Sequence, residues 1–115
     1  MADLAASDVT VTTQRREDRN GMKLWQGTIA FGDGAKTVPA TGVPCAIGKF
    51  GFARSLVRFG MNESTATGYV LEYDKSASTL MLMYGDYSSA TDNVLISAGT
   101  TAPASATYDC WAEGY

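Results

Sequence analysis

Nucleophilic catalysis requires a base within reach of a serine, threonine or cysteine, and this 115-residue chain contains no histidine to act as one. The other candidate bases are Lys23, Lys36, Lys49 and Lys75, three of which fall in or beside turns and loops, where a solvated surface charge is the plain reading. Paired carboxylates could perform glycoside chemistry. Glu63, Glu72, Asp74 and Asp86, however, lie in or near turn sequences, where aspartate has an ordinary structural use. No Asp-x-Asp-x-Asp-Gly run offers calcium ligands, and Gly32-Asp33-Gly34 is too short to cradle a phosphate and lacks the following helix and lysine. Cys45 and Cys110 show no CxxC or Cys/His spacing that would hold zinc. Two buried free thiols is the favoured reading of that pair, with a Cys45–Cys110 disulfide as the alternative. Trp25, Trp111, Tyr69, Tyr73 and Tyr84 could form a platform for a sugar or a base, but aromatics at period two in strands ordinarily pack in a core or pair across strands. These residue types predict no enzymatic activity, no cofactor and no metal.

The elements that position these residues follow from hydrophobic periodicity. Apolar residues alternate along most of the chain, the period of a strand with one buried face. Asp8 to Thr13 reads as a first strand, and Met22 to Phe31 as a long second one with Lys23, Trp25, Gly27, Ile29 and Phe31 on one face. Gly32-Asp33-Gly34 predicts a tight hairpin turn, with the chain returning through Ala35 to Val38. Pro39, Gly42 and Pro44 then predict an irregular loop to Gly51, with a short helical turn near Ile47. Ser55 to Phe59 is a predicted strand, Asn62 to Thr67 a polar turn, and Gly68 to Tyr73 and Thr79 to Tyr84 a hairpin closed by Asp74 to Ser78. Asp92 to Ala98 and Ala106 to Ala112 complete the set. The expectation is one all-β domain over residues 1–115, an antiparallel β-sandwich or barrel of jelly-roll-like kind with about seven to eight short strands. Residues 1–8 form an N-terminal arm with the composition of a flexible segment.

One strand departs from alternation. Leu80-Met81-Leu82-Met83-Tyr84 is apolar at every position, so both of its faces need cover. A loop or the N-terminal segment could fold over the second face; alternatively, Met81 and Met83 make a contact to another subunit, for which flexible thioethers are well suited.

Composition bounds the partners. Charged residues are 18% of the chain and the net charge is −3, so the surface is built largely from small neutral residues suited to packing against neighbours. Arg15, Arg16 and Arg19 are diluted by Glu17 and Asp18, which argues against nucleic acid as a partner. No apolar stretch approaches the ~20 residues of a membrane-spanning helix, and Met1 to Ala6 lacks the features of a signal peptide. Synthesis and assembly in a cytoplasm are expected, with no membrane partner.

The run Gly27 to Pro39, then Gly42-Val43-Pro44, then Gly68 to Lys75 with Leu80-Met81-Leu82, resembles small virion structural proteins of tailed bacteriophages. The likeness extends through Val94 to Thr100 and a final strand ending in Gly114-Tyr115, and covers roughly residues 22 to 115. The resemblance implies a non-enzymatic capsid decoration or cement protein on the outer surface of the shell, partnered by the major capsid protein and by copies of itself, as a homotrimer or other homo-oligomer. A tail or baseplate component is the neighbouring possibility, and a carbohydrate- or receptor-binding β module is the competing one. The resemblance implies no catalytic residues, and Cys45 and Cys110 stand outside it.

Overall fold

A computed structural model describes residues 3–39, 41–64, 69–86, 94–97 and 103–115. Its strands are β1 (Thr10–Arg19), β2 (Met22–Phe31), β3 (Val43–Pro44), β4 (Leu56–Ser64), β5 (Tyr69–Asp74), β6 (Thr79–Asp86), β7 (Val94–Ser97) and β8 (Ala106–Gly114). They form two antiparallel sheets: one in the order β1-β2-β8-β4, the other in the order β3-β6-β5 with β7 also paired to β6. The fold is all-β and sandwich-like, as the alternation predicts.

The alternation works through burial. Along β8 every second residue, Ala106, Tyr108, Cys110, Ala112 and Gly114, points inward and is buried, while the intervening side chains are partly or fully exposed. Trp25, Gly27, Ile29 and Phe31 do the same on β2. From the second sheet Leu71, Leu80 and Leu82 close the other side of the core. Between the layers Phe50, carried on the short 3-10 turn Ile47–Phe50, meets the edge of Trp25 at a centroid distance of 4.8 Å. Phe31 stacks on Tyr108 at 5.3 Å. Such aromatic contacts add to the free energy of area burial.

Two turns correct the sequence expectation. Gly32-Asp33-Gly34 does not close a hairpin: Asp33 Oδ1 accepts the N–H groups of Ala35 and Lys36, and the Gly34 N–H donates to Pro103 O. The chain cannot return alongside β2, because both edges of β2 are already taken by β1 and β8. The hairpin of β2 lies on its other side. Asn20 (φ 53°) and Gly21 (φ 84°) both occupy the left-handed region that a two-residue I′ turn needs, and β1 continues past Thr13 to Arg19 against β2, with a bulge between Thr13 and Arg15. The β5–β6 turn is as expected, with Asp74 Oδ1 accepting the N–H groups of Ser76 and Ala77. Of the predicted polar turn at Asn62 to Thr67, Asn62 to Ser64 belong to β4, and residues 65–67 lie outside the described set. Of the predicted strand Asp92 to Ala98, Val94–Ser97 form β7 and the rest lies outside it.

The N-terminal arm, expected to be flexible, is held against the domain from Asp3 onward. Leu4 is buried and donates its N–H to Thr37 O, and Thr37 Oγ1 donates to Asp3 Oδ1. Lys36 Nζ pairs with Asp8 at 2.8 Å, and Lys49 Nζ donates to the carbonyls of Ala6 and Val9. An apolar plug with polar ties on either side opposes the fraying usual at a terminus.

Candidate interaction site

Four of the residues that sequence reasoning treats as possible catalysts, Lys36, Lys49, Lys75 and Asp74, make structural hydrogen bonds here. Lys36 and Lys49 fasten the arm, and Lys75 Nζ donates to Val57 O across the seam between β4 and β5. Asp74 closes a turn. Glu72 is exposed on β5, opposite Met81, whereas the side chains of Glu63 and Asp86 lie outside the described set. Among the described residues no group of three or more histidines, cysteines or carboxylates comes together to hold a metal. No helix among them is long and apolar enough to cross a membrane. Cys45 and Cys110 are both buried free thiols. Burial pushes the Cys45 thiol up to about 11 and the Cys110 thiol up to about 12, which keeps both protonated and poor as nucleophiles at neutral pH.

The proposed aromatic platform does not assemble as one surface. Trp25 is fully buried and its Nε1–H donates to Thr13 Oγ1 at 2.9 Å. Tyr73 is part of the cluster around Phe50 and Phe59, and its hydroxyl donates to Cys45 O at 2.7 Å. Trp111 stands on the opposite side of its sheet from Trp25, half-buried on the outer face of β8. The side chains of Tyr69 and Tyr84 lie outside the described set.

Between β4 and β5, strands of different sheets, lies a groove of about 380 Å³ lined by Ile47, Arg54, Leu56, Tyr73 and Lys75 among others.

β6 carries the more informative surface. Its inward residues Leu80 and Leu82 are fully buried, whereas Met81 and Met83 face out and are only partly covered. The loop before β3 accounts for part of that cover: the Thr79 hydroxyl donates to Thr41 O, and Gly42 lies so close that a Cβ there would come within 2.7 Å of Met81 Sδ. Farther along β6, Met83 is paired with Val70 of β5, which is also half-buried. The loop thus lies over Met81, and beyond it Met83 and Val70 sit side by side, both half-buried.

Comparison with protein-family models, with curated proteins and with solved structures finds no match to the chain.

Proposed function

We propose that this chain is a non-enzymatic structural component of a tailed-bacteriophage particle, a decoration or cement protein that binds the major capsid protein on the outer surface of the shell and associates with its own copies. The observation that carries the reading is the second apolar face of β6: Met83, beside Val70 of β5, sits outward and half-covered on a strand whose other face is sealed in the core. An outward thioether next to a β-branched side chain is adaptable apolar area, the kind that gains from burial against a partner. Weak contacts of this size suffice when many symmetry-related copies act together on one shell. The low charge density of the chain supports the same reading, because few charges must be desolvated on docking.

Mass by light scattering of Met83→Asp beside the unaltered chain tests the self-association part. The proposal expects an oligomer whose mass falls in the variant while the circular dichroism of the fold is retained. A strict monomer in both would remove the oligomer from the proposal.

A further inference from the structure

We infer that the outer face of the first sheet is a carbohydrate-binding site centred on Trp111. On β8 the outward series is Asp109, Trp111 and Glu113, all half-exposed, spaced about 6.8 Å apart by the strand repeat. Trp111 is flanked by Gln26 on β2 and Gly60 on β4. Its indole leans across the sheet over Gly60: a Cβ on that glycine would lie 2.5–2.6 Å from Nε1, Cε2 and Cζ2. The missing side chain at Gly60 is therefore what lets the ring lie along the sheet and turn a face toward solvent.

The surroundings select the ligand class. A pyranose has one face of C–H groups, which packs on an aromatic ring, and a rim of hydroxyls, which seek planar hydrogen-bonding groups. Gln26 supplies such a group on the neighbouring strand, and Asp109 and Glu113 supply them two residues to either side of the ring along β8. Asp109 is half-exposed, but its Oδ1 is shielded from solvent, so a sugar hydroxyl would meet this carboxylate from its exposed side. Arg58 lies 3.9 Å from Glu113, and Arg15 and Arg19 both pair with Glu17, while Asp109 has no ion-pair partner among the described residues. A carboxylate without a cation beside the ring favours a neutral ligand over a phosphate-bearing one.

This inference does not rest on the virion reading. Trp111 is on the outer face of the first sheet and Met83 on the outer face of the second, so the two surfaces lie on opposite sides of the sandwich. Failure of one leaves the other standing.

The test is titration of the full chain with chitohexaose, cellohexaose and a soluble mannan after a screen on a broad oligosaccharide array, followed by calorimetry and tryptophan emission. At least one saccharide should bind saturably and shift the emission, because the buried Trp25 contributes an unresponsive background. Trp111→Ala should weaken that binding about tenfold or more, the scale of a lost aromatic contact. Trp111→Phe should retain part of it, and Met83→Asp should leave it unchanged. Gly60→Ala is a second variant that keeps the indole but lifts it off the strand, and it too should lower affinity. Absence of saturable binding to any saccharide on the array would overturn the inference. So would equal affinity in folded Trp111→Ala, or a protein partner held by this face in place of a sugar.

Discussion

Asp8, Asp33 and Asp74 all have carboxyls held below the usual aspartate range. For Asp8 the cause is first the hydrogen bond from Lys36 and then the N–H of Ala5; for Asp33 it is the backbone N–H groups of Lys36 and Ala35; for Asp74 it is Ser76 and then Ala77. A carboxyl whose acidity is strengthened by folding adds stability above its unfolded pKa, about 3.9 for aspartate, and that stability is lost as the pH falls through the lower folded value. The melting temperature should therefore hold from neutral pH to about pH 5 and fall below about pH 4. Asp8→Asn should be less stable at pH 7 and show a shallower acid fall, as read by thermal melts at pH 3 and 7. Lys36 behaves in the opposite sense: the hydrogen bond to Asp8 raises its pKa, so its contribution is present below the unfolded value near 10.4 and lost as pH climbs through the folded one. The turn sequences make Asp33 and Asp74 legible as structural, whereas the Lys36–Asp8 pair joins residues 28 positions apart and leaves no local signal. Trp25 and Trp111 were not separable in the sequence, because period-two patterning shows that side chains alternate but not which face of a strand is covered.

At the scale of elements, β1–β2 and β6 are the informative cases. Asn20-Gly21 is a strong two-residue hairpin signal, but it follows the charged run Arg15 to Arg19, which resembles a solvated loop more than a strand. An edge strand tolerates such charges because its outer side faces water and because they discourage pairing with other chains. A Cβ at Gly21 would meet no atom within 4 Å, so the cost of Gly21→Ala comes from the backbone alone. That substitution should lower stability by about 1–2 kcal/mol in urea denaturation, the cost of placing a side chain in the left-handed region. On β6 the two faces should respond differently. Leu82→Ala should cost about 2–5 kcal/mol as a core truncation, whereas Met83→Asp should change stability by less than about 1 kcal/mol as a surface change. Unfolding of Met83→Asp would show that this face belongs to the core. The all-apolar run Leu80 to Tyr84 was the sequence's clearest sign that one strand needs cover on both sides; which groups provide it depends on a loop packed from far along the chain.

For the whole molecule, the all-β class follows from alternation and turns, but strand order does not. β8, last in the chain, lies between β2 and β4, so the middle of the first sheet is built from contacts separated by most of the sequence. Turn residues show where a chain reverses, and long-range packing selects the partner, which is why Gly32-Asp33-Gly34 suggested a neighbour that β2 had no free edge to accept. The resulting sandwich has one partly apolar outer face at Met83 and Val70 and another centred on Trp111. In the proposed assembly the first faces the shell and the second faces outward. The most direct test is to add the purified chain to phage particles that lack it and to follow co-sedimentation and the temperature at which the shells open. The account predicts saturable binding, stabilised shells and weakened binding by Met83→Asp but not by Trp111→Ala. No binding to such particles, or binding indifferent to Met83→Asp, would contradict it.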